Sequence, residues 1–328
     1  MRVMVTGGAG YVGSTTAQRL FEAGHQVVVL DSLLRGYRQA VPQGATLVVG
    51  DFGDRDFVER TLHEHKVEAV LHCAAMGLVG ESVTRPDEYY RVNVVGGLAL
   101  LEAMRAAGVR RIVFSSSAGI YGAPEVTPIT EDEPLRPINP YGDTKRAFEG
   151  MLSSYTLAYG MAAVSLRYFN AAGATDKLGE AHQPETHLIP NILAAVERGA
   201  PIVIFGNDYP TPDRTCVRDY THVDDLAAAH ALALEYTANQ EGTNTSCNLG
   251  SVGGYSNLAV LGAAEKVLGR SIEYSFGPRR AGDPPVLVAS SDRARELLGW
   301  APRYGMEDMI RSAWQWRRDH PNLYGEPG

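Results

Sequence analysis

The chain has 328 residues, 45% of them hydrophobic, and a formal net charge of −8 without a basic stripe, which disfavours a nucleic acid as a partner. Its three cysteines, Cys73, Cys216 and Cys247, are scattered and lack metal-ligand spacing, so the composition predicts a reducing compartment, no disulfide framework and no metal site. No signal peptide precedes the first strand and no apolar run is long enough to cross a bilayer, which predicts a cytoplasmic protein without a membrane contact.

Short β-branched runs alternate with helix-length amphipathic stretches through the first half of the chain. The predicted strands are Arg2–Thr6, Gln26–Leu30, Thr46–Val49, Ala69–Leu71, Arg111–Ser115 and Ala163–Leu166. Gly24, Gly108 and Gly160 each follow a helical pattern directly, as a C-terminal cap would. This order predicts an α/β fold with βαβ units and a doubly wound parallel sheet of the Rossmann type.

The composition of the chain changes after about Asn170, where loops rich in Gly, Pro, His and Asp begin. We predict a dinucleotide-binding domain at residues 1–169 and a smaller α+β substrate-binding lobe at residues 170–328. The helix Val223–Tyr236 and the apolar strand Ser246–Leu249 resemble a return to the first domain, at about residues 219–250. We therefore expect the chain to cross between the two domains more than once.

The turn after the first strand has the glycine spacing of a dinucleotide site. Gly7, Gly10 and Gly13 follow a G-x-x-G-x-x-G pattern and open a helix. Such a site needs a tight turn, a bare backbone that can approach a pyrophosphate, and a helix N-terminus whose free N–H groups favour negative charge. A merely tight strand-to-helix turn is the alternative, but the context of strand, turn and helix favours a bound cofactor.

An acidic residue follows at the end of the second strand, where a dinucleotide fold places one. Asp31 can accept hydrogen bonds from the ribose hydroxyls and would repel a 2′-phosphate, so we predict NAD rather than NADP. Arg35 and Arg38 lie nearby and weaken this preference; we interpret them as solvated loop charges.

A tyrosine and a lysine stand four residues apart at the start of a predicted helix, in Tyr141-Gly142-Asp143-Thr144-Lys145. That spacing puts both side chains on one face. A neighbouring ammonium and a cationic nicotinamide would favour the phenolate and lower the pKa of Tyr141, which could then act as a base. The pair alone is a weak signal, but Ser115-Ser116-Ser117 ends a strand at the sheet edge where ligands sit, and Ser117 could hydrogen-bond a reacting oxygen.

These motifs and their order resemble the extended short-chain dehydrogenase/reductase family, and within it the UDP-galactose 4-epimerases. Similar stretches span nearly the whole chain, among them Val79–Ser82, Asn139–Gly142, Leu166–Asn170, Pro184–Pro190, Ile204–Pro210, Val217–Tyr220 and Arg279–Asp283. The resemblance implies that a bound NAD oxidises a UDP-sugar to a transient 4-keto sugar and reduces it again, so that UDP-galactose and UDP-glucose interconvert.

The resemblance also implies roles for individual residues. Tyr141 would be base and acid, Lys145 would tune it and hold the nicotinamide ribose, and Ser117 would hydrogen-bond the substrate. Cofactor contacts would come from Gly7, Gly10, Tyr11, Val12, Gly13, Asp31, Asp51, Phe52, Asn93, Ser115, Tyr141, Lys145 and Tyr168. Substrate contacts would come from Ser117, Tyr141, Phe169, Asn170, His187, Leu188, Phe205, Arg218, Tyr220, Arg280 and Asp283. Arginine suits a diphosphate because its forked donors match phosphate oxygens.

Three positions depart from some members of the family. Gly77 stands where some epimerases have a lysine, and His187 replaces an asparagine found in others. Leu287 lies about where the bulk of a side chain limits room for a 2-acetamido group. The sequence therefore leaves the exact sugar open, including N-acetylhexosamine, pentose and uronate derivatives.

Two other functions fit the same cofactor site less well. A nucleotide-sugar 4,6-dehydratase needs an acid/base pair beside the serine, whereas Ala118-Gly119-Ile120 follow Ser117. A non-catalytic NAD-binding sensor would not require the Tyr141, Lys145 and Ser117 set. In the family, the helices matching Tyr90–Ala107 and Pro140–Tyr159 pair in a homodimer, although in sequence terms they could be ordinary layer helices.

Overall fold

The computed structural model describes residues 1–251, 253–279 and 284–325. Its strands, in chain order, are β1 (Arg2–Thr6), β2 (Gln26–Asp31), β3 (Thr46–Val49), β4 (Ala69–His72), β5 (Arg111–Ser117), β6 (Ala162–Tyr168), β7 (Asn170–Ala172), β8 (Ile202–Phe205), β9 (Val217–Arg218), β10 (Tyr220–His222), β11 (Asn244–Leu249), β12 (Tyr255–Ser256), β13 (Tyr274–Gly277) and β14 (Val286–Leu287).

The helices lie between these strands and at the C-terminal end of the chain. They are α1 (Tyr11–Glu22), α2 (Arg55–Glu64), α3 (Val79–Thr84), α4 (Pro86–Tyr89), α5 (Gly97–Ala106), α6 (Pro140–Tyr159), α7 (Leu188–Arg198), α8 (Val223–Tyr236), α9 (Asn257–Leu268), α10 (Asp292–Leu298) and α11 (Met306–Asp319). Short 3₁₀ turns occupy Arg38–Ala40, Ala118–Ile120 and Thr237–Asn239, and a π-helical segment occupies Tyr90–Gly96. None of the described helices combines the length and the apolar character needed to span a bilayer.

Seven parallel strands form the central sheet, in the order β11-β6-β5-β4-β1-β2-β3. The prediction of a doubly wound parallel sheet is therefore confirmed. The strand order reverses between β1 and β4, because β2 lies on one side of β1 and β4 on the other. In such sheets, ligands bind outside the carboxyl ends of the strands at this switch point.

The alternation of side chains along each strand gives the sheet two buried faces. In β1, Val3 and Val5 face one side and pack in a core with α1, α8 and α10. Met4 faces the other side, in a core with α2, α5 and α6. Both layers of helices are thus held against the sheet by apolar contact, which fixes the loops at its carboxyl edge.

A second, smaller core lies in the C-terminal half of the chain, where α7, α9 and α11 pack around β8. Short sheets accompany it: β13 pairs with β8, β10 pairs with β7, and β9 lies between β12 and β14. These strands carry several of the predicted substrate residues.

One predicted helix differs from its observed form. The prediction of a continuous helix over Tyr90–Ala107 is wrong for its first two turns, because Tyr90–Gly96 is π-helical and α5 begins only at Gly97. The widened turn coincides with close packing: a Cβ on Gly97 would lie 2.5 Å from the ring of Phe148. Such segments are frequent at functional sites, and this one holds Asn93.

Candidate active site

The turn after β1 accepts glycine alone at two positions. Gly7 has φ +70°, and a Cβ there would lie 2.6 Å from the backbone nitrogen of Ala74, in the loop after β4. At Gly13 a Cβ would lie 2.1 Å from the carbonyl oxygen of Gly7. The turn is therefore compact, and α1 starts at Tyr11 behind a cap residue, Gly10, that has no side chain. The first N–H groups of a helix lack intrahelical partners, so this end fits an anionic group such as a pyrophosphate.

Asp31 ties the end of β2 to this turn. Its carboxylate oxygens accept hydrogen bonds from the backbone N–H groups of Ala9 and Leu33, both at 2.9 Å. Burial raises the pKa of Asp31, and the two N–H donors oppose that rise. The glycine cradle and this buried acid at the switch point together fit a bound dinucleotide.

Arg35 is an exposed loop residue, in keeping with its interpretation as a solvated charge, and it also forms a surface ion pair. Its Nη2 lies 2.8 Å from both carboxylate oxygens of Glu81. Because Glu81 already neutralises this guanidinium, Arg35 is a weaker candidate for binding a 2′-phosphate, which is in keeping with a preference for NAD.

Two predicted cofactor residues lie just after the end of β3. Asp51 is exposed and accepts a hydrogen bond from Gly53 N–H at 2.8 Å. Phe52 is buried, with its ring centroid 5.1 Å from that of His72.

Asn93 is buried and bridges two segments. Its amide oxygen accepts from Met76 N–H at 2.8 Å, while Nδ2 donates to the Met76 carbonyl and to Thr144 Oγ1, at 3.1 and 3.0 Å. Thr144 is one residue before Lys145. Asn93 therefore fixes the loop after β4 against the N-terminal part of α6.

Tyr141, Ser117 and Lys145 are brought together at the carboxyl edge of the sheet. Asn139 caps α6 by accepting from Gly142 N–H at 2.9 Å, which sets Tyr141 in the first turn. The Tyr141 side chain lies beside Ser117, and both side chains adjoin Gly119. Lys145 Nζ lies 5.7 Å from the centroid of the Tyr141 ring and donates to the carbonyl of Ser115 at 2.8 Å.

The pKa shifts of this pair follow burial. Burial lowers the pKa of Lys145 to about 8, while electrostatic interactions with Cys73 and Glu149 oppose the fall. Burial raises the pKa of Tyr141, and its hydrogen bond with Ser117 opposes that rise. The chain's own groups therefore do not produce the lowered tyrosine pKa that the sequence predicts, because the ammonium of Lys145 is bonded to the Ser115 carbonyl and not to the phenol.

The side chain of Ser115 points into a buried polar network that sequence reasoning missed. Its Oγ lies 2.7 Å from His230 Nε2 and 3.2 Å from Cys73 Sγ. His230 Nδ1 lies 2.8 Å from the Leu226 carbonyl, which can only accept, so the proton is on Nδ1 and Nε2 accepts from Ser115. Burial lowers the pKa of His230 to about 4 and raises that of Cys73 to about 11, so both are neutral at pH 7.

Tyr168, a predicted cofactor residue at the end of β6, adjoins this network. Burial and the nearby Tyr141 raise its pKa, and a hydrogen bond with Ser115 opposes the rise. The one sequence signal for His230 is its position as a single polar residue in the run Ala227–Ala233, a pattern that does not identify its partner.

The predicted substrate residues near β9 and β10 lie close to one another. Asn170 Nδ2 donates to the Asp219 carbonyl at 2.8 Å, and Arg218 Nη1 donates to the Val217 carbonyl at 2.7 Å. Tyr220 is buried in the core of the smaller lobe. Phe169 packs with Leu287 against the cluster Ala118, Ile120, Tyr121 and Ile129, which begins directly after Ser117. Leu287 is thus placed beside the segment that follows Ser117.

The remaining predicted substrate residues are more scattered. His187 is the residue before α7 and Leu188 is the first residue of that helix. Phe205 ends β8 with its side chain partly exposed. Arg280 and Asp283 lie outside the described residues.

His187 lies between two acidic side chains. Its Nδ1 is 2.7 Å from Glu180 Oε1 and 2.8 Å from Glu185 Oε1. Burial alone would lower the pKa of His187, but the two carboxylates raise it well above its ordinary value.

Comparison with known proteins gives a consistent result over the whole chain. Residues 3–250 match the model of the NAD dependent epimerase/dehydratase family. The UDP-glucose 4-epimerase of Lactobacillus helveticus is 49% identical over 330 residues, which cover 99% of each chain. The structure of UDP-glucose-4-epimerase from Stenotrophomonas maltophila, with bound NAD and formylated UDP-arabinopyranose, has a TM-score of 0.94 at 38% identity, covering 98% of this chain and 99% of that one. The enzyme from Bifidobacterium longum, in complex with NAD+ and UDP, has a TM-score of 0.92 at 36% identity, with the same coverage.

Proposed function

The chain belongs to the NAD-dependent epimerase/dehydratase family, and from that premise we propose that it interconverts UDP-galactose and UDP-glucose with NAD as its cofactor. The observation that carries this proposal is the assembly of Tyr141, Ser117 and Lys145 at the sheet edge. This set can move a proton at a sugar hydroxyl, next to a glycine turn that fits a dinucleotide.

In the reaction, Tyr141 takes the proton of the 4-hydroxyl and later returns it, while Ser117 holds the reacting oxygen. The glycine turn and Asp31 would hold NAD, which would supply the hydride acceptor for C4 and a positive charge that favours the tyrosinate. Lys145, anchored by the Ser115 carbonyl, keeps a positive charge near the phenol and is available to the nicotinamide ribose. The sugar must turn over between the removal and the return of the hydride. The protein should therefore bind the nucleotide tightly and the sugar loosely.

The proposed contacts follow the predicted sets. Gly7, Gly10, Tyr11, Val12 and Gly13 would surround the pyrophosphate, Asp31 the adenosine ribose, Asp51 and Phe52 the adenine, and Asn93, Ser115 and Tyr168 the rest of the cofactor. Phe169, Asn170, His187, Leu188, Phe205, Arg218, Tyr220, Arg280 and Asp283 would hold the UDP-sugar. The domain division at about residue 170, with a return at about 219–250, belongs to the same proposal.

The 4,6-dehydratase alternative is disfavoured by the residues after Ser117. Ala118–Ile120 form a 3₁₀ turn in which Ala118 and Ile120 are buried apolar side chains. A dehydratase would need an acid and a base there to eliminate water. A related sugar nucleotide stays the second candidate substrate, since Leu287 lies beside this segment and its size bears on a 2-acetamido group.

We also propose that the protein forms a homodimer and acts in the cytoplasm. The segment Tyr90–Gly96 and helices α5 and α6 expose large apolar side chains, among them Val95 at 62% and Leu157 at 87%. Exposed apolar area of this kind is typical of a protein interface.

The test is a coupled assay for UDP-glucose after incubation with UDP-galactose, with and without added NAD. The wild type should convert the substrate, and Tyr141→Phe should lower turnover by about 10²–10⁴-fold while NAD stays bound. Tyr274→Phe is the matched control, because Tyr274 is a half-exposed side chain on β13. Substantial turnover by Tyr141→Phe would refute the assignment, and conversion of the N-acetylated sugar alone would move it to that substrate.

A further inference from the structure

The loop between β7 and α7 brings four metal-ligand side chains together. Glu180, His182, Glu185 and His187 stand in the pattern E-x-H-x-x-E-x-H, and one nitrogen or oxygen from each lies within 4.8 Å of all the others. Sequence analysis predicted no metal site and singled out only His187, because the pattern lies in a loop and matches no familiar spacing.

The nitrogen and oxygen atoms of this cluster converge closely. His182 Nδ1 lies 3.0 Å and His187 Nδ1 2.7 Å from the same Glu180 oxygen, and His187 Nδ1 is also 2.8 Å from a Glu185 oxygen. One Nδ1 carries at most one proton, so it cannot donate a full hydrogen bond to both carboxylates. Glu185 Oε1 also accepts from the backbone N–H groups of Thr186 and His187, both at 2.7 Å, so the loop backbone holds this carboxylate beside the His187 nitrogen.

We propose that Glu180, His182, Glu185 and His187 bind a divalent transition-metal ion, with Zn²⁺ as the best match. Two imidazole nitrogens and two carboxylate oxygens make a complete four-coordinate zinc site, whereas Mg²⁺ and Ca²⁺ prefer oxygen ligands alone. Zn–N and Zn–O bonds of about 2.0–2.2 Å place neighbouring ligand atoms about 3.3 Å apart in a tetrahedron. The short contacts of 2.7–3.0 Å would lengthen to reach that spacing, and the wider pairs, which lie within 4.8 Å, would close to it.

Burial in the cluster is graded in a way that suits metal entry. The Glu180 side chain is only 7% exposed, whereas those of His182 and His187 are 35% and 38% exposed. The buried carboxylate forms the base of the site, and the imidazoles stand at its open side.

The site joins three parts of the fold. His187 is the residue before α7, and the ring of His182 meets the edge of Tyr11, the first residue of α1, at 6.3 Å between centroids. Tyr11 in turn donates from its hydroxyl to the Gly173 carbonyl at 2.5 Å. The ion would therefore hold the 173–187 loop on the glycine turn and has a structural role that does not depend on the proposed reaction. It would also occupy Nδ1 of His187, leaving only Nε2 for a UDP-sugar.

The test starts from the NAD-bound protein, dialysed against a chelator and titrated with Zn²⁺ in competition with a chromophoric chelator. The wild type should bind one equivalent, confirmed by elemental analysis, and zinc should raise its melting temperature. His182→Ala and His187→Ala should each weaken binding by more than about tenfold. His63→Ala, which alters an exposed histidine on α2, should bind zinc as the wild type does.

X-ray absorption at the zinc edge identifies the ligands directly. Nitrogen and oxygen neighbours at about 2.0–2.2 Å, without sulfur, are expected. Equal zinc binding by the wild type and the His182→Ala/His187→Ala double variant, or a sulfur neighbour, would overturn the proposal. Retained NAD shows that a variant is folded, and the partly exposed His182 keeps the test valid should His187→Ala fail to fold.

Discussion

Replacing Glu149 by glutamine should destabilise the protein strongly and perturb the active site at the same time. Glu149 lies one turn beyond Lys145 on α6, and its carboxylate forms a two-point ion pair with Arg167 on β6, at 2.6 and 3.0 Å. It also accepts from Ser116 on β5 at 2.6 Å. The two side chains of the ion pair are only 10% and 6% exposed.

The magnitude follows from that burial. Removing one partner of a buried ion pair leaves an uncompensated charge and costs about 3–5 kcal/mol. The unfolding entropy is about 2.1 cal/mol/K per residue, or about 0.7 kcal/mol/K for the chain, so this loss corresponds to a fall in melting temperature of about 4–7 °C. The charge of Glu149 also raises the pKa of Lys145, so its removal should lower that pKa further below about 8.

Thermal unfolding of the NAD-bound protein, followed by circular dichroism, measures the effect. The matched control is Arg311→Gln, which breaks the exposed Asp308–Arg311 pair on α11 and should cost at most about 1 kcal/mol. Equal melting temperatures for Glu149→Gln and the wild type would refute the buried ion pair as a stabilising contact between α6 and β6.

Four further predictions concern the cofactor, the pH profile and the stability. Gly13→Ala should lose bound NAD, because its Cβ would lie 2.1 Å from the Gly7 carbonyl oxygen. The control Gly150→Ala has open space around the added Cβ and should retain NAD. Absorbance and mass spectrometry of the released nucleotide measure the NAD content of both variants. Asp31→Ser should reduce the preference for NAD over NADP, as titrations with the two nucleotides would show. Since the pKa of Lys145 is lowered to about 8, kcat/KM should fall as the pH rises through about 8. Lys145→Arg should move that fall to higher pH, because a guanidinium keeps its proton. A pH profile unchanged by Lys145→Arg would contradict a catalytic role for the Lys145 charge. The same shift predicts that the contribution of Lys145 to the free energy of unfolding rises from about pH 8 to 10.5, where the unfolded chain binds the extra proton.

The predictable parts of the fold are those that local patterns encode. Each strand of the first half appears as a short β-branched run, and Gly7, Gly10 and Gly13 mark their turn by spacing alone. Tyr141 and Lys145 are four residues apart, so helix geometry places them together without knowledge of the rest of the fold. The structural roles of these residues are therefore readable from the sequence.

The parts that sequence analysis missed depend on contacts between distant segments. Ser115 and His230 are 115 residues apart, and only the packing of α8 under the sheet reveals their contact. The π-helical turn at Tyr90–Gly96 likewise does not show in the apolar periodicity, which predicts a continuous helix there. The rise that burial causes in the pKa of Tyr141 also depends on the folded environment, whereas the predicted lowering requires the charge of a bound nicotinamide.

The most direct test of the central claim uses UDP-galactose that carries deuterium at C4. Hydride taken from C4 and returned to the same sugar inside the site never exchanges with water. We therefore expect UDP-glucose that retains its deuterium at C4 when the reaction runs in ordinary water, as measured by mass spectrometry and NMR. Loss of the label during conversion, or no conversion by folded, NAD-bound protein, would contradict the account.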